Sequence, residues 1–157
     1  AIAGACTGGG AGIAACCDLR IATRDMKFGF PIARTLGNCL SAATLDRLVR
    51  LLGEGRVKDL IFTARLIGAE EAYAAGLISE IVEDHAALMK RAEELARQIA
   101  GHAPLTMRAT KELLRRLRRH GPGVDDKDVV AKVYTSADFR EGLDAFLSKR
   151  PPQWTGR

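Results

Sequence analysis

The hydrophobic and polar positions divide the chain into two stretches of different pattern. In residues 1–83, short apolar runs alternate with glycines and brief helical stretches, which is typical of an α/β arrangement. The predicted strands are 1–6, 19–22 and 77–82, and the predicted helices are 10–17, 40–52, 57–63 and 69–75. These units are too short for a doubly wound sheet built from full helical crossovers.

From residue 84 onward the pattern is helical. Apolar residues recur at spacings of three or four residues along two segments: Leu88, Ala92, Leu95 and Ile99 in one, and Leu105, Ala109, Leu113 and Leu117 in the other. Pro104 suits the start of the second helix, and Ser136 suits the cap of a last one after a short helix at 124–134. We therefore divide the chain into a core part, 1–83, and a helical region, 84–157.

Composition narrows the class of protein. A chain of 157 residues with 47% hydrophobic and 27% charged residues can bury a core, and no apolar run approaches the ~20 residues of a membrane span. The chain begins without Met inside an apolar run that lacks the basic flank of a signal peptide. We expect an N-terminal segment upstream, no membrane partner and a cytoplasmic location.

The cysteines and histidines show no metal-binding pattern. The four cysteines, Cys6, Cys16, Cys17 and Cys39, form no C-x-x-C pair, and the three histidines lie far away in sequence. The sequence therefore predicts no metal site. Reduced thiols that serve as small buried side chains are the expectation.

The net charge is +5, and the surplus is concentrated in one segment. Its six basic residues are Arg108, Lys111, Arg115, Arg116, Arg118 and Arg119. Such an excess suits a nucleotide phosphate or a nucleic acid, and a solvated helix face is the alternative. No aromatic stacking platform accompanies the arginines, which argues against a nucleic-acid partner.

A glycine triplet, Gly8-Gly9-Gly10, separates the first predicted strand from the first predicted helix. Glycines let the backbone turn sharply and let a ligand approach the main chain. The unpaired N–H groups of a helix start can stabilise charge on a carbonyl oxygen, and a tight structural connection is the alternative. A dinucleotide loop is excluded, because the following helix is too short for a full crossover.

Four ordered stretches resemble the enoyl-CoA hydratase/isomerase (crotonase) family. They are IAGA at 2–5 leading into the triplet, ACCDLRIA at 15–22 with KFGFP at 27–31, FTAR at 62–65 with AEEA at 69–72 and AGLI at 75–78, and SADFREGLDAFLSKRP at 136–151. The resemblance spans nearly the whole chain. It implies an α/β, crotonase-like spiral of ββα units with a C-terminal α-helical trimerisation region, in homotrimers or hexamers.

The same resemblance implies a coenzyme A thioester as substrate and no separate cofactor. Gly9 would supply one backbone N–H of the oxyanion hole, and the second donor would come from upstream of Ala1. The other implied substrate-binding positions are Gly8, Gly12, Pro31, Ile32, Phe146 and Lys149. Of these, Phe146 and Lys149 would meet the adenine and phosphates, although by residue type alone Phe146 suits a core and Lys149 a surface charge.

Two positions depart from the family pattern. The hydratases use two glutamates, one in G-G-G-x-E and one in F-G-x-P-E, and these positions hold Gly12 and Ile32. Neither can carry a proton. Asp18, Asp46 and the residues Arg34, Thr35, Asn38 and Cys39 are the side chains from which a substitute would be sought.

The leading interpretation is therefore an acyl-CoA-processing protein, a lyase or isomerase related to enoyl-CoA hydratase, that stabilises a thioester enolate without standard two-glutamate hydration. A non-catalytic acyl-CoA-binding or assembly subunit is the alternative, because both acid–base positions are replaced. RNA binding through the basic segment is the third.

Overall fold

The computed structural model describes all 157 residues, which form two compact units, 1–94 and 95–157. The strands are β1 (Ala5–Thr7), β2 (Ile21–Thr23), β3 (Lys27–Gly29), β4 (Ile67–Gly68) and β5 (Glu80–Val82). The helices are α1 (Gly9–Cys16), α2 (Ile32–Thr35), α3 (Ala42–Leu52), α4 (Glu54–Phe62), α5 (Ala69–Ala74), α6 (His85–Ala100), α7 (Pro104–His120), α8 (Lys127–Tyr134) and α9 (Ala137–Leu147).

The first unit contains two small sheets. In one, β1 pairs in parallel with β3, with Thr7 opposite Gly29, and β3 pairs antiparallel with β4. In the other, β2 pairs in parallel with β5, and Ile2 adds a single parallel bridge to Ala22. The α/β class is thus confirmed for this unit, whereas the spiral of ββα units and the trimerisation role of the helical region stay predictions.

Strands β3 and β4 were not expected as strands, and the structure shows why β3 carries a glycine. A methyl group on Gly29 would lie 2.8 Å from a side-chain carbon of Leu66 and 2.9 Å from the carbonyl oxygen of Arg65. Only glycine therefore allows the 65–66 segment to approach β3. Phe28, next to it, is fully buried and meets Phe30 edge-on, with ring centroids 5.9 Å apart.

The core of the first unit forms where helices cover the sheets. Its largest buried side chains are Met26, Phe28, Phe30, Leu48, Ile67, Leu77 and Leu88. The paired helices α3 and α4 meet at Gly53, which has φ +77° and ends α3 as its sequence position predicted. Helix α3 is amphipathic: its apolar residues, including the buried Leu48 and Leu52, lie on the side that faces the core.

The second unit is helical, and its helix starts follow the predicted signals. Pro104 begins α7, and the Ser136 hydroxyl accepts a hydrogen bond from the Phe139 amide at the start of α9. The chain after α9 folds back onto that helix. The buried Asp138 carboxylate accepts hydrogen bonds from the Thr155 amide and hydroxyl and from the Gly156 amide, at 2.7–2.9 Å.

The burial expected for the cysteines is wrong for three of the four. Cys16, Cys17 and Cys39 are exposed in this chain, and Cys6 is partly buried; all four are free thiols. Cys16 and Cys17 lie at the exposed end of α1, where the Cys16 sulfur accepts a hydrogen bond from Arg47. None of the helices is both long enough and apolar enough to cross a membrane.

Candidate functional site

The glycine triplet forms a sharp turn between β1 and α1. Gly8 has φ +53° and ψ −119°, a conformation that favours glycine, and it directs the chain from the strand into the helix. Its amide donates to the carbonyl oxygen of Gly29 at 3.3 Å, and its own carbonyl accepts from the Gly12 amide at 3.0 Å. Gly8 is therefore the structural anchor of the turn.

Gly9 is the first residue of α1 and is exposed. Its amide lies before the point where intrahelical hydrogen bonds begin, and no acceptor within the chain engages it. No atom lies within 4 Å of the place a methyl group would take on Gly9 or Gly10. The amide is thus available to a ligand oxygen, with the positive end of the helix dipole behind it.

Pro31 and Ile32 leave the sheet at the same end as the glycine turn. Because β1 and β3 are parallel neighbours, with Thr7 opposite Gly29, the residues that follow each strand emerge side by side. Pro31 precedes the single turn of α2, and Ile32 is its first residue. Ile32 is only 7% exposed and belongs to the core cluster that also contains Ala11 of α1.

A cavity of about 430 Å³ opens beside Ile32 in the first unit. Its apolar walls come from α2, α3, α4 and the loop before α3: Ile32, Leu40, Leu45, Val49, Val57, Ile61 and Phe62. Its polar lining consists of Asn38, Cys39, Glu54 and Lys58. This cavity was not predicted from the sequence, although the four-residue spacings of Leu45 with Val49 and of Val57 with Ile61 indicate the two helix faces that form it.

The titratable groups of this region offer no evident proton shuttle. Glu54 accepts from Lys58 at 2.5 Å, and this hydrogen bond lowers the pKa of Glu54, so the carboxylate is a weak base. Asp46 is paired with Arg50 at 3.0 Å. Burial raises the pKa of the Cys6 thiol, which keeps it protonated at neutral pH.

Gly12 lies one turn into α1, at the position where the resemblance implies a glutamate. Open space surrounds the place of its missing side chain. Neither Gly12 nor Ile32 has an ionisable group, and Arg34 and Thr35 of α2 and Asn38 of the loop that follows are exposed. The turn therefore offers a backbone donor without a side-chain acid or base at either family position.

Phe146 and Lys149 belong to the second unit, at the end of α9 and just after it. Phe146 is 81% exposed, so the core position suggested by its residue type is wrong. Lys149 has φ +53°, and its amide donates to the Phe146 carbonyl at 3.3 Å. Both side chains are thus presented to solvent by a helix end, which is compatible with ligand contact.

The basic segment on α7 is partly neutralised by its own neighbours. Arg116 pairs with Glu112 at 2.8 Å and with Asp128 of α8 at 2.6 Å, and Arg115 also pairs with Glu112. These pairs lower the pKa values of Glu112 and Asp128 to about 2. Arg115 and Arg116 are therefore committed within the unit, which weakens the interpretation of α7 as an RNA-binding surface.

Comparison with known proteins decides the family. The family model for enoyl-CoA hydratase/isomerase matches residues 1–157. The chain belongs to the enoyl-CoA hydratase/isomerase family. The resemblance carried by the four sequence stretches is thereby confirmed.

Individual members of the enoyl-CoA hydratase/isomerase family match at similar levels. A short-chain-enoyl-CoA hydratase of Clostridium acetobutylicum is 34% identical over 96% of this chain and 58% of its own length. A solved enoyl-CoA hydratase/carnithine racemase of Magnetospirillum magneticum has a TM-score of 0.87 and 33% identity, over 99% of this chain and 59% of that one. A solved enoyl-CoA hydratase of Bacillus anthracis has a TM-score of 0.84 and 36% identity. The chain spans about three-fifths of the length of these relatives.

Proposed function

We propose that the protein binds an acyl-CoA thioester and stabilises the enolate of its acyl group with the Gly9 amide. The substrate class follows the family, whose members at comparable similarity include a short-chain-enoyl-CoA hydratase. The observation that carries the proposal is the exposed Gly9 amide at the start of α1, unengaged within the chain. Removal of one such donor costs other acyl-transfer enzymes about 10²–10³ in rate, so its availability matters.

The remaining contacts follow the family pattern. Phe146 and Lys149 would meet the adenine and phosphate groups of coenzyme A, since an ammonium group is a suitable point charge for phosphate. The second oxyanion donor would come from residues upstream of Ala1. A homotrimer or hexamer is the assembly that we propose, with no separate cofactor and a cytoplasmic location.

The reaction that fits this site is one in which the Gly9 amide stabilises an enolate and a residue other than Gly12 or Ile32 transfers the proton. Gly12 and Ile32 cannot hold or activate water, and the nearby carboxylate of Glu54 is tied to Lys58. An isomerase or related lyase reaction therefore fits better than standard hydration. General acid–base groups contribute about 10²–10⁴ to rates, so crotonyl-CoA hydration should be slower by that factor than in a two-glutamate relative.

A non-catalytic acyl-CoA-binding subunit is the alternative. The absence of an acid or base at Gly12 and Ile32 favours this alternative, since a site with only an oxyanion donor can bind a thioester without turning it over. RNA binding receives no such support, because Arg115 and Arg116 are already paired with acidic neighbours.

The test compares butyryl-CoA with its thioether analogue, in which a methylene replaces the thioester carbonyl. Calorimetric titration of the full protein should show tighter binding of the thioester, because only its oxygen can accept from the Gly9 amide. Exchange of the acyl α-protons into D₂O, followed by NMR, reports enolate formation. Exchange supports the enzyme, and binding without exchange supports the non-catalytic subunit. Equal affinity for the two compounds, or crotonyl-CoA hydration at a relative's rate, would contradict the proposal.

A further inference from the structure

The second unit contains a cavity of its own, between α7 and α8, with a volume of about 360 Å³. On α7 the lining residues recur three or four positions apart, from Leu105 to Arg116, and on α8 they come from two successive turns, at 128–129 and 132–133. Because residues at such spacings share one side of a helix, one face of each helix forms a wall of this α7–α8 cavity.

The two carboxylates that line the α7–α8 cavity are already occupied by guanidinium groups. Both oxygens of Glu112 accept from Arg115, at 2.6 and 2.7 Å, and one of them also accepts from Arg116 at 2.8 Å. Both oxygens of Asp128 accept from Arg116, at 2.6 and 2.7 Å. These hydrogen bonds lower the pKa values of Glu112 and Asp128 to about 2, so both acids are ionised at neutral pH. Two arginines thus balance two acids.

Two further cations line the same cavity, Arg108 on α7 and Lys132 on α8. Neither makes a hydrogen bond or an ion pair within the chain. Since Arg115 and Arg116 are matched to the two acids, Arg108 and Lys132 leave the cavity with uncompensated positive charge. A guanidinium group can bind a carboxylate or a phosphate through two parallel hydrogen bonds, and an ammonium group adds a point charge. The two helices therefore present complementary donors to one anionic group.

The rest of the lining is mainly apolar. It includes Leu105, which is only 7% exposed, and Ala109 on α7, with Val129 and Val133 on α8. Methylene groups that cover such a surface gain free energy by leaving water. The cavity volume also falls within the ~300–1,000 Å³ of small-molecule sites. A ligand with an apolar body and a charged head fits this lining better than a simple inorganic ion.

We infer that the α7–α8 cavity binds a small amphipathic anion, whose carboxylate or phosphate head lies between Arg108 and Lys132 and whose apolar body contacts the apolar wall. Phe146 and Lys149, the residues of this unit proposed to contact coenzyme A, do not line the cavity. The anion is therefore a second ligand, additional to the acyl-CoA of the proposed function.

Calorimetric titration of the full protein at low ionic strength compares hexanoate and hexyl phosphate with hexanol and acetate. Both hexyl anions should bind at least about tenfold more tightly than hexanol, which offers no charge to the two cations. Acetate keeps the carboxylate but has four fewer methylenes, and it should bind at least about tenfold more weakly than hexanoate. The anion that binds more tightly shows whether the head is a carboxylate or a phosphate.

Two variants each remove one of the cations that have no partner. Arg108→Ala and Lys132→Ala should each weaken the binding of the preferred anion by about tenfold, because a charge-assisted hydrogen bond is lost. Arg119→Ala is the charge-matched control, since Arg119 is an exposed residue of α7 outside the cavity. It should keep the wild-type affinity. The melting temperatures of the three variants check that each is folded.

Four results would overturn the inference. An equal loss of affinity in Arg119→Ala and Arg108→Ala would show general attraction to a basic helix. Hexanol binding as tightly as the anions, or acetate as tightly as hexanoate, would contradict an amphipathic anion. Displacement of the bound anion by coenzyme A would make the cavity part of the acyl-CoA site. Absence of binding by both hexyl anions would remove the site, and the proposed function would still stand.

Discussion

At the scale of single residues, the isoleucine at position 32 is consistent with binding of a thioester but removes a side chain that could transfer a proton during water addition. Ile32 is buried between the sheet end and the apolar cavity, so a carboxylate there would lose its hydration. In the two-glutamate hydratases the same sequence position carries the acid. The change from glutamate to isoleucine thus removes a proton carrier and adds apolar wall in one substitution.

Ile32→Glu tests how apolar this environment is, with Ile32→Gln as the uncharged control of similar shape. Desolvation should raise the pKa of the new carboxyl above the ~4.3 of the unfolded chain, and each unit of rise corresponds to ~1.4 kcal/mol. Because the folded-state pKa is raised, the glutamate variant loses stability as the pH rises from about 4 through that pKa.

Denaturant unfolding at pH 4 and pH 8 measures this difference. The glutamate and glutamine variants should be similarly stable at pH 4, and the glutamate variant should be the less stable at pH 8. Equal stability at both pH values would show that the site is hydrated rather than apolar.

Residue type predicted some positions well and others poorly. Gly8 and Gly9 were found from the sequence, because a strand followed by glycines and a helix requires a turn of this kind. The exposure of Phe146 and of three cysteines was not predicted. The average burial of a residue type does not show whether a particular residue at a helix end faces the core or the solvent. Cys16 and Phe146 both lie at helix ends and are exposed.

At the scale of elements, helices were easier to predict than strands. Gly53, Pro104 and Ser136 mark helix ends by local chemistry, and each lies where the sequence predicted. Strands β3 and β4 lie outside the apolar runs from which β1, β2 and β5 were predicted, and the pairing of distant segments defines them. The cavity beside Ile32 was not predicted, because its walls come from three helices and a loop that meet only after folding.

The return of the chain onto α9 gives an element-scale prediction. The Thr155 amide, followed by other hydrogen bonds from Thr155 and Gly156, lowers the pKa of the buried Asp138 carboxyl. A lowered folded-state pKa means that this stabilisation is present above the ~3.9 of the unfolded chain and is lost as the pH falls through the folded value.

Asp138→Asn should lower the melting temperature at pH 7, because an amide accepts fewer of these hydrogen bonds. The difference from wild type should shrink below pH 4, where the wild-type carboxyl also becomes protonated. Trp154, the single tryptophan, lies against Gly142 of α9, so its fluorescence reports release of the segment. A melting-temperature difference that stays constant from pH 7 to pH 3 would contradict this account.

At the scale of the whole molecule, the sequence predicted the family and the α/β class but not the distribution of charge. The net charge of +5 suggested a cationic surface on α7. Pairing across helices, as between Arg116 and Asp128, commits part of that charge internally. A count of charges cannot show this, because the two partners are 12 residues apart and meet only after folding.

The central claim concerns one main-chain donor, and Gly9 allows it to be removed cleanly. Proline has no N–H and is tolerated at the first residue of a helix, so Gly9→Pro deletes the donor with little demand on α1. Gly9→Ala retains the N–H, and its methyl group meets no protein atom within 4 Å. Gly9→Pro therefore differs from Gly9→Ala by the loss of the amide hydrogen and by the ring carbon that replaces it.

The most direct measurement is the rate of butyryl-CoA α-proton exchange in these two variants, alongside their melting temperatures and their thioester and thioether affinities. We predict that Gly9→Pro loses about 10²–10³ in rate, together with its preference for the thioester, while Gly9→Ala stays close to wild type. A folded Gly9→Pro protein that keeps both the exchange rate and the thioester preference would contradict the account.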